Sequence, residues 1–400
     1  MSNRLKSKKR FLLYQSSLLI FISALVAGVS TLFLSTLNYF FHLFTENLWL
    51  VFVLPFFGVF TLWIYQKLSS SASTSHLSFE GLLLYQSESA QNLGWGSSLL
   101  VFSFASLSQL FGASTGREGG ALQYGASLGS ATAHLQHRLT GEKDFDLFVK
   151  AGLVAGFSSL FGTPVAALVF LGERFGFRQP QAQALRWALV AYLSFYFSNI
   201  FQSAHTDYPD WPTFSWNLTV LFSFILLFIF IVVLAFIYKK LLGLFFKGEF
   251  LLFKNPYYRI LLGGFVVAGL TWAVGSARYN GLGISLIDEA FKQSAAAYDP
   301  LMKALFTLIS LTSGFKGGEV TPLISIGALI GSSLFPWLGL PLVACAAVGA
   351  MFFFAQVLGI PLTGAVLLIE LFGGASAPVA LCGGFILWGL QHSRFKYLKL

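Results

Sequence analysis

Long apolar stretches recur along the chain from end to end, at residues 11–40, 48–65, 95–111, 187–201, 216–238, 260–274 and 379–390. An α-helix needs about 20 apolar residues to cross the hydrocarbon core of a bilayer, so these stretches predict spanning or near-spanning helices. Between them lie shorter apolar runs interrupted by glycine or proline. Broken segments of that kind persist at membrane depth only where protein buries them or a polar cavity receives their backbone, which points to a carrier or channel. The predicted fold is an all-α integral membrane protein built from tilted and broken helices.

Composition agrees. The chain is 56% hydrophobic and only 10% charged, whereas soluble domains carry about 25% charge. A net charge of +9 could suggest nucleic acid, but the basic residues sit at the borders of the apolar runs. Arg4, Lys6, Lys8, Lys9 and Arg10 precede the first run, Lys239, Lys240, Lys247 and Lys254 fill one connection, and Arg394, Lys396 and Lys399 lie near the end. Residues 203–212 carry Asp207 and Asp210 and no Lys or Arg. By the positive-inside rule both termini and the connection around Lys247 are cytoplasmic and the Asp207 segment is external, which requires an even number of crossings. No nucleic-acid partner is expected. The basic start followed by about 30 apolar residues reads as a first helix rather than a cleaved leader. Cys345 and Cys382 lie in apolar segments without metal-like spacing and read as buried small hydrophobes.

An internal repeat organises the chain. The string from Gly162-Thr163-Pro164 to Glu173 recurs from Gly359-Ile360-Pro361 to Glu370, and Gly125-Ala126-Ser127-Leu128-Gly129-Ser130 recurs as Gly327-Ala328-Leu329-Ile330-Gly331-Ser332. Two related halves follow, residues 1–238 and 255–400, joined by the basic cytoplasmic connection 239–254. Paired halves in a membrane carrier usually place the substrate site near the midplane, on helices that stop partway. The glycines four apart read chiefly as close helix contacts.

Two glycine-rich stretches put a carboxylate in membrane sequence: Gly116-Arg117-Glu118-Gly119-Gly120 and Gly317-Gly318-Glu319-Val320-Thr321-Pro322. An ionisable group in a bilayer costs from roughly 2.5 to well over 10 kcal/mol and is by default a functional-site candidate. Each stretch opens a predicted helical run, 121–131 and 323–334, so helix-start amides and the positive dipole end converge there. A small anion fits that chemistry. Either acid could instead satisfy the dipole of its own helix.

These motifs, with the Pro-led helices ending in Glu173 and Glu370, resemble the CLC family of chloride channels and anion/proton antiporters over nearly the whole chain. The resemblance implies an inverted-repeat bundle, a homodimer with one pore per subunit, and transport of a small inorganic anion and protons without a cofactor or an enzymatic reaction. It places Glu118 on the family's external gating glutamate, which occupies the anion's site when charged and swings away when protonated. Like-charge exclusion and the preference of buried acids for the neutral form supply the physical logic. Arg117, Gly119 and Gly120 would offer amides to the outer site, and Glu319 and Val320 to the central one.

The string Gly317-Gly318-Glu319-Val320-Thr321-Pro322 resembles the fluoride/proton antiporter branch, CLC-F, where chloride-type members carry an apolar residue at the position of Glu319. Arg174 stands where chloride/proton antiporters keep an internal proton glutamate, which the fluoride branch also lacks. Glu319 and Thr321 are therefore expected to handle ions. Fluoride export in exchange for protons is the expected function; a chloride channel or chloride/proton antiporter of the same fold is the alternative, and an intramembrane enzyme using Glu118 and Glu319 is the remote one.

Other positions depart from the family. The first anion-binding loop is matched best by Ser75, with His76 next, and Ser75 resembles the chloride arrangement. Phe395 falls where the family has a tyrosine in its last helix, with Tyr397 two residues later. Glu173 and Glu370, equivalent in the two halves, read as helix-end partners. His134 and His137 lack a companion acid or thiol in their run, so no metal is expected. The chain ends shortly after its last apolar run, so no C-terminal CBS domains are expected. The expected setting is multi-pass in a prokaryotic plasma membrane.

Overall fold

The computed structural model describes residues 2–68, 95–142, 144–246 and 255–392. Among them the backbone is almost wholly α-helical. The helices are α1 (Ser2–Glu46), α2 (Leu54–Leu68), α3 (Trp95–Leu110), α4 (Glu118–Thr140), α5 (Phe145–Phe161), α6 (Pro164–Phe175), α7 (Gln181–Ile200) and α8 (Leu218–Phe246). They continue with α9 (Pro256–Val274), α10 (Ile284–Lys292), α11 (Asp299–Ser313), α12 (Val320–Leu338), α13 (Leu342–Leu358), α14 (Pro361–Phe372) and α15 (Ala377–His392). Short 3-10 turns cover Leu48–Val53 and Gly374–Ser376.

Every apolar stretch picked out by the pattern is helical, and six helical segments of the described residues are long and apolar enough to cross a membrane: Leu13–Glu46, Leu48–Lys67, Leu218–Phe245, Pro256–Val274, Val320–Leu338 and Gly374–Gln391. Residues 95–111 match to within one residue. Their helix α3 has 16 residues, about 24 Å of rise, and ends just before Gly112, which turns left-handed at φ 81. Proline and glycine set the other boundaries. Pro164 and Pro361 open α6 and α14, where a missing N–H costs nothing. Gly162 and Gly359 close the preceding helices in the left-handed conformation. Asp144 and Asn255 cap α5 and α9 by accepting the amides of Leu147 and Tyr257.

The chain forms two compact units, and the division falls inside α1 and α3. The first comprises residues 1–36, 71–104 and 118–205. Its core is the crossing of α4 and α5, where a Cβ on Gly125 would lie 2.3 Å from the Gly152 carbonyl oxygen and one on Gly129 2.2 Å from that of Phe148. No larger residue allows that approach. Within the same unit Ser30 Oγ is 2.7 Å from both Tyr124 Oη and Ser159 Oγ, which satisfies three buried hydroxyls together. Trp187 of α7 donates its indole N–H to the Leu147 carbonyl.

The second unit comprises residues 37–70, 105–117 and 206–400. It contains the counterpart crossing of α12 and α13: a Cβ on Gly327 would meet the Gly349 oxygen at 2.2 Å and one on Gly331 the Cys345 oxygen at 2.0 Å. Helix α9 packs on α2 through Gly264, against Pro55, and on α11 through Gly263, against Ser313. Cys345 is buried in this unit, as its apolar surroundings suggested, but Cys382 is exposed because its side of α15 faces outward; both are free thiols.

The repeat reaches further back than the sequence blocks. Carrying the alignment that matches Gly327 with Gly125 toward the N-terminus matches Gly314 with Gly112, and both are left-handed, at φ 106 and 81. The bonds just beyond them match as well. Phe315 N–H donates to the Ser310 carbonyl as Ala113 N–H donates to that of Ser108. Helices α3 to α6 and α11 to α14 are thus two copies of one local plan.

Candidate functional site

The two glycine-carboxylate stretches are joined. Gly116 and Gly318 form an isolated antiparallel bridge in which each N–H donates to the other's carbonyl, the Gly318 to Gly116 bond measuring 2.7 Å. The same alignment matches Gly318 with Gly116, so equivalent residues of the repeat pair with each other. An antiparallel exchange between equivalent residues has a local two-fold axis through it. This bridge lies within the second unit.

Its neighbours explain why glycine is needed. Gly317 has φ +153, and a Cβ there would sit 2.4 Å from both Thr115 Cβ and Oγ1, so a side chain would break the pairing. Thr115 is held on the other side by Gln109, whose amide donates to its carbonyl at 2.5 Å. Ser114 donates its backbone N–H to Ser310 Oγ at 3.0 Å, and its own Oγ is 3.0 Å from Thr307 Oγ1. Arg117, 3% exposed, donates through Nη2 to Thr206 Oγ1 at 3.0 Å.

Beneath the bridge lies a lysine. Lys303 of α11 is 0% exposed, and its Nζ donates to Ser114 Oγ at 3.0 Å, Gly281 O at 2.8 Å, Tyr279 O at 3.1 Å and Asn280 O at 3.5 Å. No carboxylate of the described residues lies within ion-pair distance of it; its partners are a hydroxyl and backbone carbonyls, all acceptors. Asp299, one turn earlier on α11, is taken up by Arg278 Nη2 at 3.2 Å and by Tyr279 Oη at 2.5 Å. The phenol of Tyr279 is pushed up to about 12 by burial and then by that carboxylate. Asn280 donates to the Gly112 carbonyl at 2.7 Å. The loop between α9 and α10 therefore clamps the residues that lead into the bridge.

Two residues past the bridge on either strand a helix begins. Glu118 opens α4, is 2% exposed, and is followed by the buried Gly119 and Gly120. In the first unit a Cβ on Gly120 would come within 3.2 Å of the Phe33 ring. Glu319 is the N-cap residue of α12, and its side chain makes no capping hydrogen bond. Glu319 is half-buried, whereas Val320 and Thr321 are 4% and 3% exposed. The first amides of a helix have no intrahelical partner, and Pro322 removes one of them, so Val320 and Thr321 carry the donors at this end.

Of the remaining expectations, Ser75, His76 and Phe395 lie outside the described residues, as do residues 247–254 of the basic connection. Arg174 sits in the last turn of α6, where a cation suits the dipole. Sequence reasoning passed over Lys303, although a lone lysine in an apolar run was signal enough. It had no means of finding Gln109, Asn280 or Ser114, ordinary polar residues made important only by what they touch.

The profile of the family described as voltage gated chloride channel matches residues 57–387. A curated relative, the chloride/fluoride channel protein of Pseudomonas syringae pv. tomato (strain ATCC BAA-871 / DC3000), is 36% identical over 284 residues, 68% of this chain. The match spans 62% of that relative's length. Among solved structures, a CLC-type fluoride/proton antiporter superposes with a TM-score of 0.85 at 26% identity, covering 94% of this chain and 95% of that one. A slow cyanobacterial Cl-/H+ antiporter gives 0.76 at 17% identity, covering 95% of each chain. The second likeness bears on fold alone.

Proposed function

The chain belongs to the voltage gated chloride channel family, and we propose that it carries a small inorganic anion across a membrane in exchange for protons, with fluoride as the anion. The observation that supports this reading is the Gly116 and Gly318 bridge, from which two helices, one headed by Glu118 and the other by Glu319, set out two residues later. The amides of Val320 and Thr321 take the anion. Fluoride holds its water strongly, so donors aimed inward from a helix start must replace that shell. Arg117, Gly119 and Gly120 line the outer approach.

Glu118 alternates with the anion. Its charged form excludes an anion from its own position by like-charge repulsion, and its neutral form withdraws, so each exchange moves a proton. Thr321, next to Val320, contributes a hydroxyl that suits a small, strongly hydrogen-bonding halide. Ser75, His76 and Phe395 complete the path in this proposal. The acid at Glu319, where chloride-type members are apolar, favours fluoride over chloride, as does the fluoride/proton antiporter among the structural relatives.

Subunits pair as a homodimer, each with its own pathway, and residues 1–238 and 255–400 act as the two inverted halves. The termini and the Lys239 to Lys254 connection face the cytoplasm of a prokaryotic cell. Efflux from proteoliposomes loaded with fluoride or chloride, with proton movement followed in the same vesicles, tests the reading. Fluoride efflux accompanied by proton uptake is expected; chloride efflux of equal or greater rate, or anion flux without protons, overturns it.

A further inference from the structure

Helix α10, in the second unit, has 9 residues and no side chain to cap its start. Its N-cap is Gly283, left-handed at φ 80. The first of its amides to reach a carbonyl is that of Ile287, which donates to Gly283 O at 3.1 Å; those of Ile284, Ser285 and Leu286 bond to no carbonyl of the described residues. Such amides carry the positive end of the helix dipole. Ser325 of α12 is aimed at this place. It is 0% exposed, its Oγ has no hydrogen-bond partner among the described residues, and a Cβ on Gly283 would stand 2.6 Å from that oxygen. The hydroxyl does not turn back to the Thr321 carbonyl, as serine inside a helix commonly does. The same Cβ would stand 2.8 Å from Lys303 Cε, and Lys303 Nζ is held on the Gly281 carbonyl at 2.8 Å. A fixed ammonium therefore adjoins the free amides and the free hydroxyl.

Helices α10 and α12 lie side by side and run the same way. Gly283 begins α10 against Ser325, and at the other end the Gln293 carbonyl accepts from Ser332 Oγ of α12 at 2.9 Å. Both helix starts point in one direction, and the start of α12, with Val320 and Thr321, lies about one turn beyond Ser325. Thr321 and Ser325 share a face of that helix.

We infer that the start of α10 is a second site for a small anion, which accepts from the amides of Ile284 and Ser285 and from the Ser325 hydroxyl beside the Lys303 ammonium. It is separate from the donors at Val320 and Thr321 and follows them along α12. Ser285 is exposed, so this helix start is reachable from outside the fold. Gln109 Oε1, an acceptor 2.9 Å from where a Cβ on Gly281 would stand, bounds the site on that side. Glu289, further along α10, is taken up by Arg278 at 2.7 Å. The identity of the anion as fluoride rests on the proposed function. In the orientation proposed there, α9 rises from the cytoplasmic connection and α10 follows its far end, so the second site receives the exported anion after Thr321 has released it.

The test uses the full chain in detergent, titrated calorimetrically with sodium fluoride, with sodium gluconate as the reference salt. Thr321→Ala is expected to keep the fluoride binding of the second site, and adding Ser325→Ala should weaken that remainder at least about tenfold, the loss of one hydrogen bond to a charged partner. Unfolding temperature supplies a readout that a structural serine would not give. In gluconate Ser325→Ala should be no less stable than wild type, since it deletes a buried hydroxyl with no partner, while the rise produced by fluoride should shrink. Fluoride binding by Thr321→Ala that is indifferent to Ser325→Ala, or a fall in unfolding temperature that is equal in the two salts, overturns the inference. If Thr321→Ala binds fluoride as wild type does and Ser325→Ala alone removes binding, the proposed role of Thr321 has failed and the second site stands. Binding of sodium chloride in place of fluoride, with the same dependence on Ser325, overturns the choice of anion and leaves the site in place.

Discussion

The run from α3 to α6 and the run from α11 to α14 share their framework and differ in what they place on it. Both end a helix in a left-handed glycine, Gly112 or Gly314. Both cross two helices through glycines four apart, and both close on a helix of 12 residues begun by proline. The differences are polar. At the position of Lys303 in the second run the first has Val101, and where the second has Glu319 as an N-cap the first has Arg117. Glu118 aligns with Val320. Apolar packing was conserved between the copies because a Cβ added at these glycines would lie about 2 Å from a neighbouring carbonyl oxygen, which leaves no alternative residue. The polar positions were free to diverge, and the proposed exchange of an anion for protons requires that they did, since a two-fold copy of every charge would give two equal carboxylates and no direction to a proton.

Three sets of substitutions probe that contrast, the most severe first. Glu118→Gln is expected to reduce proton-coupled anion flux by on the order of 100-fold or more, as loss of a proton-transferring group does. Glu319→Gln should slow it less and alter its pH dependence. Identical effects from the two would mean that the acids are equally required and that the asymmetry described above carries no mechanism. Proton flux in fluoride-loaded vesicles reads both.

Packing comes next. Gly129→Val and Gly331→Val each push a side chain into a backbone carbonyl, and each should destabilise the protein by about 3 kcal/mol, seen as a lowered unfolding temperature in detergent. The two crossings are expected to respond alike. A variant tolerated at one site and not the other would show that the shared framework is looser than the glycine contacts imply.

Lys303→Met gives the smallest of the three effects and sharpens the difference between the runs. The methionine fills the space but leaves the Gly281 and Tyr279 carbonyls and Ser114 Oγ without their donor, a loss of roughly 2–3 kcal/mol. Thermal unfolding should register it, and Val101→Met at the aligned position should cost less, about 1 kcal/mol. Equal losses would argue that Lys303 serves only as bulk.

Much of the architecture was legible in the chain. Apolar stretches of spanning length must become helices, because no water in a bilayer is available to satisfy an extended backbone. Proline and glycine marked where helices break, and the block repeat showed that one plan was used twice. Glu118 and Glu319 stood out because a carboxylate in apolar sequence is too costly to be incidental. The extent of α3 was legible to within one residue, 95–110 against the stretch 95–111, with left-handed Gly112 just beyond its end. Cys382 was misjudged because an apolar neighbourhood in sequence does not say which side of a helix faces in.

What the chain alone determined is therefore the set of helices, their breaks, the repeat and the two acids: each follows from the local cost of placing a residue in hydrocarbon or in a helix. Only the tertiary structure decided that Gly116 pairs with Gly318, that Lys303 is caged by carbonyls, and that Asn280 reaches the Gly112 carbonyl. Those relations join residues that lie far apart along the chain. Hydrogen bonding depends on distance and direction in space, to which hydrophobic periodicity is blind.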